Sequence, residues 1–290
     1  MIAIDAAWRA AHPLPVPARD TSKNGRGRVL VIGGARRVPG AVALTAEAAL
    51  RVGAGKVRIA TIAAAALPLG VAMPEVGVID LREDAGGELA ASDDAALVAT
   101  LDRVEAVAIG PGMGNAEAAA AMVRWVVPRL GDGAVLLLDG AAVSGATVLR
   151  DVLAPVTGRL ILTPHPGEMA ALMDCDVDTV AAHAEALAVQ AATRFGATVA
   201  LKQAATIVAT PDADPLHYPG GGVGLATGGS GDVLAGAIAG LAARGASPCE
   251  ATGWGVWLHG EAGRALAGRS GPLGFLAREL PPRLTELLPR

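Results

Sequence analysis

The sequence predicts an α/β fold of three layers, in which helices cover both faces of a mostly parallel central sheet. Short runs of strand character alternate along the chain with longer Ala- and Leu-rich stretches of helical character, a pattern typical of βαβ units. Hydrophobic residues make up 52% of the chain and aromatic residues only 2%. Small aliphatic side chains must therefore fill the core, which suits closely packed helices and buried parallel strands.

The clearest βαβ unit lies near the start of the chain. RVLVIGG at 28–34 predicts a strand, a helix is expected from about Ala41 to Val52, and KVRIAT at 56–61 predicts the next strand. Because ligands of open α/β sheets bind beyond the carboxyl ends of the strands, the residues at those ends are candidate functional positions. Further strands are predicted at 106–110, 134–139, 160–163, 198–202 and 206–210.

The remaining organisation of the chain points to one domain. At 290 residues the length suits one large domain or two small ones, and no repeat or low-complexity linker divides it, so we expect residues 1–290 to form a single domain. Two polar segments, 82–94 and 211–215, are predicted to be surface loops.

Several classes of function are disfavoured by composition. The charge-free apolar stretch 59–74 is shorter than the roughly 20 residues that cross a bilayer. The N-terminus does not resemble a secretory signal, because Asp5 interrupts its apolar part. We therefore expect no membrane span and a cytoplasmic location.

The charged residues and cysteines favour a small-molecule substrate. The net charge is −4, and the absence of a dense Lys/Arg run argues against a nucleic-acid partner. Cys175 and Cys249 lie neither in a CxxC motif nor near clustered histidines. A zinc site and a disulfide framework are both poorly supported, and no metal ligands are assigned.

The most informative segment is GGGVGLATGGSGDVLAGAIAGLAARG at 220–245. Its first half is too rich in glycine for a regular element, whereas the part from Asp232 onward is an Ala-rich helix. The loop 227–231 therefore leads directly into a helix N-terminus, where free N–H groups and the helix dipole favour a phosphate.

Asp232 is the candidate base at this helix N-terminus. The segment is not a Walker A loop, because no lysine follows the glycines, so backbone groups and a carboxylate must meet the phosphate. A carboxylate beside a transferable phosphoryl group can take the proton from an acceptor hydroxyl. The alternative is that Asp232 only complements the helix dipole, a role that contributes about 0.3–1 kcal/mol.

ATGGSGDVLAGAIAGL resembles the GxGD segment of the ribokinase-like superfamily, and the chain is most similar to its ADP- or ATP-dependent NAD(P)H-hydrate dehydratase family. The resemblance covers roughly residues 23–265 and implies a three-layer α/β/α ribokinase-like fold. Six segments carry it in order: KNGRGRVLVIGG, VPGAVALTAEAALRVGAGKV, AVAIGPGMG, LTPHPGEMAAL, LKQAATIVATP and the GxGD helix.

The resemblance also implies a reaction, its cofactors and its partners. A 6-hydroxylated dihydronicotinamide dinucleotide, the hydrate of NADH or NADPH, loses water while ADP is converted to AMP and phosphate, with ATP as the alternative nucleotide. Mg²⁺ is the expected cofactor and a homotetramer the expected assembly. The epimerase domain that often precedes this domain in the family is not found in the sequence, so we expect the protein to perform dehydration alone.

Individual positions can be carried over from the family. Its contacts with the hydrated dinucleotide map to Ala41, Gly112, His165 and Asp232. Its nucleotide contacts map to Lys202, Gln203, Ala204, Ala205, Thr206 and Gly231.

A structural alternative stands beside each of these assignments. Ala41 could simply open a helix, GPGMG at 110–114 could be a strand-to-helix turn, and His165 could be a turn residue between two prolines. Lys202 could be a solvated charge at a strand end, although such a lysine is well placed for a phosphate. Glu168, at the start of the next helix, is a supporting candidate to bind magnesium through water.

Two departures from the family pattern affect the expected contacts. The family's strand-end aspartate usually continues as Asp-Ala-Asp, whereas Asp139, Gly140 and Ala141 lack the second acid; Gln203 replaces a common glycine. Other readings of the sequence are a ribokinase-like kinase of a vitamin precursor or sugar, and a non-catalytic nucleotide-binding sensor. A nucleotide-turnover assay distinguishes the non-catalytic sensor from the two enzymes.

Overall fold

The computed structural model describes residues 1–18 and 20–289, and it contains one ten-stranded sheet. The strand order across the sheet is β1-β10-β9-β8-β7-β6-β5-β2-β3-β4. The strands are β1 (Ile2–Ala3), β2 (Arg28–Ile32), β3 (Lys56–Ile62), β4 (Gly77–Leu81), β5 (Ala106–Ile109), β6 (Val135–Leu138), β7 (Leu160–Leu162), β8 (Ala197–Leu201), β9 (Thr206–Thr210) and β10 (Ala213–Tyr218).

The helices range from single turns to a long helix near the C-terminus. They are α1 (Ala6–Ala11), α2 (Ala41–Arg51), α3 (Ala63–Ala72), α4 (Ala95–Leu101), α5 (Ala116–Val126), α6 (Ala141–Gly145), α7 (Arg150–Leu153), α8 (Pro166–Met173), α9 (Val177–Ala182), α10 (Ala184–Phe195), α11 (Ser230–Ala243), α12 (Pro248–Ser270) and α13 (Leu280–Leu287). Within the described ranges, none is long and apolar enough to cross a membrane.

The sheet is mostly parallel, as the sequence predicts. Strands β4, β3, β2, β5, β6, β7 and β8 pair in parallel, and only β9 runs antiparallel to its two neighbours. Ile32 pairs with Ile109, Ile109 with Leu138 and Leu138 with Leu162. The carboxyl ends of four central strands therefore lie side by side at one edge of the sheet, where a ligand site is expected.

Helices cover both faces of this sheet, which makes three layers. Alternate residues of each strand point to opposite faces, so Leu30 and Ile32 belong to one buried cluster while Val29 and Val31 belong to another. The first cluster includes residues of α5, α6, α8 and α10, and the second includes residues of α2, α11, α12 and α13. Ala, Val and Leu dominate both clusters, in agreement with the low aromatic content.

The predicted strands are confirmed, but the loop prediction for 211–215 is wrong in part. Residues 213–215 open β10, which pairs antiparallel with β9 through an irregularity between Ala213 and Leu216. The sequence does not predict this strand because its polar residues and Pro215 are typical of a loop. They are tolerated because β1 joins β10 only at Leu216 and His217, which leaves the preceding residues at an open edge. The edge strands β1 and β4 were not predicted either.

The glycine-led helix α11 is held against α2 by a close approach of the two backbones. Gly236 faces Thr45, and a Cβ added at Gly236 would lie 2.1 Å from the Thr45 carbonyl oxygen. Since backbone atoms cannot move aside as a flexible side chain can, this contact requires glycine. It fixes the position of the α11 N-terminus relative to the sheet.

We expect Gly236→Ala to destabilise the protein by about 1–3 kcal/mol, the usual cost of forcing atoms into a packed interior. The matched control is Gly268→Ala in α12, where an added Cβ meets no atom within 4 Å. That change should stabilise the helix by about 0.5–1 kcal/mol. Urea unfolding of both variants checks the prediction, and equal stabilities would contradict the close contact between α11 and α2.

Candidate active site

The loop before α11 leads into a helix N-terminus with free donors. Gly229 is the N-cap residue, with φ of 90°, and offers no side chain to cap the helix. No acceptor in the described part of the chain takes a hydrogen bond from the amides of Gly231 and Asp232. These donors and the positive end of the helix dipole favour an anion at this position.

Lys202 follows β8 and lies opposite this helix N-terminus. Its ammonium Nζ donates to Asp139 Oδ1 at 2.6 Å and lies 3.9 Å from Glu168 Oε2. A Cβ added at Gly231 would be 3.5 Å from Nζ, so the ammonium group faces the glycine loop. The side chain is only 19% exposed. Lys202 is therefore not a solvated charge at a strand end.

Asp139 is the partner that sequence reasoning did not include among the site residues. It follows β6, is only 4% exposed, and accepts a hydrogen bond from Thr163 Oγ1 at 2.7 Å. A buried carboxylate needs such partners, and Lys202 and Thr163 supply them. The sequence does contain a signal for this residue, since Asp139 directly follows the apolar run VLLL of β6.

The carboxylate of Asp232 lies in an environment that opposes its ionisation. Burial and, second to it, the negative charge of Asp139 raise the pKa of Asp232 to about 7, although the positive charge of Lys202 acts in the opposite direction. A carboxyl group with this pKa can accept and release a proton near neutrality, as a general base requires.

The neighbouring charged groups show the same competition between burial and charge. Burial raises the pKa of Glu168, with Asp139 adding to the effect and Lys202 reducing it. Burial alone would lower the pKa of Lys202, but the carboxylates of Asp139, Glu168 and Asp232 outweigh it and raise this pKa. Lys202 is thus a permanent cation among three acidic groups.

His165 has a structural role that the sequence left open. It is the N-cap of α8, and its Nδ1 accepts hydrogen bonds from the amides of Gly167 and Glu168 at 3.0 and 3.2 Å. In turn, Glu168 Oε2 accepts a hydrogen bond from the His165 amide at 2.8 Å. The side chain is nevertheless 56% exposed and lines two neighbouring cavities. It can cap the helix and contact a ligand at the same time.

Ala41 and Gly112 come together at the ends of the first strands. A Cβ added at Gly112, whose φ is 69°, would lie 2.9 Å from the Ala41 Cβ and 2.4 Å from the Val38 carbonyl oxygen. Ala41 is buried at the start of α2. The two residues form a tight backbone junction, and neither lines a cavity at the site.

A cavity of about 750 Å³ collects most of the predicted nucleotide contacts. Its lining includes Lys202, Gln203, Ala204, Thr206 and Gly231, whereas Ala205 is not among the lining residues. A second cavity of about 400 Å³ extends beyond His165, where Gly140, Ser144 and Glu168 contribute to its wall. Asp232 lines neither cavity.

The first cavity also contains residues that the sequence did not single out. His259 of α12 lies 2.9 Å from the hydroxyl of Ser230, measured between Nε2 and Oγ. Burial lowers the pKa of His259 to about 4, and Lys202 contributes in the same direction. Only the fold brings this histidine to the glycine loop, since 29 residues separate it from Ser230.

Comparison with known proteins identifies a family for this arrangement. Residues 29–286 match the family described as NAD(P)H-hydrate dehydratase. The chain is 45% identical to an ADP-dependent (S)-NAD(P)H-hydrate dehydratase of Xanthomonas campestris pv. campestris, over 99% of this chain and 96% of that protein.

Solved structures agree with this assignment. An ADP/ATP-dependent NAD(P)H-hydrate dehydratase from Bacillus subtilis, co-crystallised with ATP and Mg²⁺, superposes with a TM-score of 0.76 at 27% identity, covering 94% of this chain and 92% of that one. A ribokinase-like superfamily protein from Enterococcus faecalis gives a TM-score of 0.81 at 26% identity, covering 95% and 91% of the two chains. The predicted ribokinase-like fold is thereby confirmed.

The raised pKa of Asp232 predicts how the stability of the folded protein changes with pH. In the unfolded chain an aspartate has its ordinary pKa near 3.9, so raising the pH from 4 to 7 removes a proton from the unfolded state before the folded state. The raised pKa therefore makes the folded protein less stable as the pH rises through this window. Asp232→Asn lacks this penalty, and we expect it to be more stable than the parent at pH 8 by on the order of 2 kcal/mol.

Urea unfolding at pH 4.5 and pH 8 measures this effect. The advantage of Asp232→Asn should be small at the lower pH and large at the higher one. Asp212→Asn, at an exposed turn position, is the control and should change stability little at either pH. If the stability advantage of Asp232→Asn did not depend on pH, the pKa of Asp232 could not be raised in the folded protein.

Proposed function

Because the chain belongs to the NAD(P)H-hydrate dehydratase family, we propose that it repairs hydrated NADH and NADPH, using ADP, with Asp232 as the catalytic base. The observation that carries the role of Asp232 is its position: a carboxyl group with a pKa of about 7 stands at the free N-terminus of α11, opposite the ammonium of Lys202. A base, phosphate-binding donors and a cation are thus brought together.

The reaction needs activation because hydroxide is a poor leaving group. Asp232 takes the proton of the 6-hydroxyl group while the hydroxyl oxygen forms a bond to the β-phosphorus of ADP. The phosphoanhydride bond breaks and AMP leaves with its electron pair. The ring nitrogen's lone pair then expels phosphate from C6, and loss of a proton from the neighbouring ring carbon restores the dihydropyridine. The products are AMP, phosphate and NADH or NADPH.

The phosphate groups are bound by donors that already lie in place. The amides of Gly231 and Asp232 donate to no acceptor in the described part of the chain, and the ammonium of Lys202 lies beside Gly231. Preorganised donors of this kind stabilise developing charge. Residues 202–205 connect β8 to β9, and Lys202, Gln203 and Ala204 of this connection lie at the wall of the 750 Å³ cavity together with Thr206. We assign this cavity to ADP.

The hydrated dinucleotide is assigned to the side of His165 away from this cavity. Gly140 and Ser144 line the 400 Å³ space there, and the junction of Ala41 with Gly112 shapes the neighbouring strand ends. His165 lies between the two spaces, where the hydroxyl of one substrate must meet the phosphate of the other.

Mg²⁺ belongs to the proposal, and the charges at the site are compatible with it. Asp139, Glu168 and Asp232 carry more negative charge than Lys202 neutralises, yet the described residues contain no ready-made cluster of three metal ligands. Mg²⁺ suits such a site, since it commonly keeps water ligands and binds one or two carboxylates together with phosphates. Glu168 is the residue assigned to hold it through water, and the ion would neutralise phosphate charge during transfer.

The assembly and location are also part of the proposal. The homotetramer is proposed from the family resemblance, and the exposed Leu67 and Val71, one turn apart on α3 and 77% and 75% exposed, are available to a subunit contact. We propose that residues 1–290 act as one domain in the cytoplasm.

The activity is tested by mixing the protein with hydrated NADH, Mg²⁺ and ADP, and following the absorbance band of reduced nicotinamide. We expect the band to recover only when nucleotide is present and AMP to form in equal amount. ATP in place of ADP gives the preference between the two. A stable phosphorylated product of a vitamin precursor or sugar, without NADH recovery, would instead identify a kinase.

The role of Asp232 is tested with Asp232→Asn in a single-turnover experiment. Loss of a positioned base should reduce the rate by roughly 10²–10⁴. The parent rate should fall as the pH drops through about 7, because protonated Asp232 cannot accept the hydroxyl proton. Asp212→Asn should keep the parent rate. A folded Asp232→Asn enzyme within tenfold of the parent would refute the base assignment and leave Asp232 as a complement to the helix dipole.

A further inference from the structure

Ser230 and His259 form a buried polar pair at the start of the glycine-led helix. Ser230 is the first residue of α11 and only 4% exposed. Its hydroxyl Oγ lies 2.9 Å from Nε2 of His259, on the neighbouring helix α12. In the described part of the chain this is the side-chain hydrogen bond that Ser230 makes, so the hydroxyl does not cap its own helix.

Both side chains lie at the wall of the 750 Å³ cavity. Lys202 and Gly231 line the same cavity, which places the Ser230 hydroxyl next to the phosphate-binding amides. A serine hydroxyl donates one hydrogen bond and accepts up to two. The bond to His259 therefore leaves capacity for a ligand in the cavity.

The protonation of His259 limits how this pair can be arranged. Because burial keeps the pKa of His259 near 4, the ring is neutral at physiological pH and has one donor and one acceptor nitrogen. If Nε2 carries the proton, it donates to Ser230 Oγ, and the serine proton is free to point into the cavity. Phosphate oxygens at neutral pH are mainly acceptors, so an anion in the cavity favours this arrangement.

We propose that Ser230 donates a hydrogen bond to a phosphate of the nucleotide, and that His259 is a positioning residue that holds the Ser230 hydroxyl in the donating orientation. This inference rests on the proposed function, because it takes the 750 Å³ cavity as the nucleotide site. It adds two side chains to the contacts made by the glycine-loop amides and by Lys202.

The variants for the test distinguish the contribution of the Ser230 hydroxyl from that of the His259 imidazole. Ser230→Ala removes only the hydroxyl and keeps the small side chain that the buried position requires. His259→Leu removes the donor, whereas His259→Gln can still donate to Ser230 through its amide. Ser230→Ala/His259→Leu completes a double-mutant cycle.

The probes are ADP and adenosine, with binding measured by calorimetry and KM and kcat for ADP measured by NADH recovery. We expect Ser230→Ala and His259→Leu each to weaken ADP binding roughly tenfold, as for a lost hydrogen bond to a charged group. Binding of adenosine, which lacks phosphates, should be unchanged. The double variant should be no weaker than Ser230→Ala, since His259 acts through the hydroxyl, and His259→Gln should restore most of the affinity.

The outcomes distinguish this inference from the function on which it rests. Parent protein that neither binds ADP nor restores NADH would overturn the proposed function itself. Parent protein that binds ADP, together with a Ser230→Ala variant of unchanged ADP affinity or with equal losses for ADP and adenosine, overturns only the role of Ser230. Additive losses in the double variant overturn the positioning role of His259. Should His259→Leu not fold, His259→Phe replaces it in the cycle, and Ser230→Ala alone decides the phosphate contact.

Discussion

The ion pair between Lys202 and Asp139 is the interaction on which the site depends. Nζ and Oδ1 are 2.6 Å apart and both side chains are largely buried, so loss of either partner would leave an uncompensated charge in the interior. The same ammonium faces the carboxyl groups of Glu168 and Asp232. One cation thus holds together a group of acids that would otherwise repel one another, and it limits how far the pKa of Asp232 rises.

The sheet topology explains why these groups meet. Asp139 follows β6, Thr163 follows β7 and Lys202 follows β8, and these strands are neighbours in the sheet. The close backbone contact at Gly236 fixes α11 on the other side, with Asp232 in its first turn. The site is therefore assembled from strand ends and one helix N-terminus, and small side chains in the layers permit this close packing.

Local patterns in the sequence predicted what is locally determined. Apolar runs predicted the buried parallel strands, and the glycine loop before α11 predicted the position of Asp232. The edge strand β10 escaped prediction because open edges tolerate polar residues and proline. Asp139 ends a predicted strand, but its ion pair with Lys202 spans 63 residues and is not visible in the local pattern. The pair of Ser230 with His259 escaped prediction because its contact spans 29 residues.

The fold holds the Asp232 carboxyl group in surroundings that raise its pKa to about 7, so that it can exchange a proton near neutral pH. The most direct measurement is an NMR titration of protein labelled with carbon-13 at the aspartate side-chain carboxyl carbons, with the Asp232 signal assigned by its absence in Asp232→Asn. We expect a titration midpoint near 7. A midpoint below about 5, close to the ordinary value of an aspartate, would contradict it.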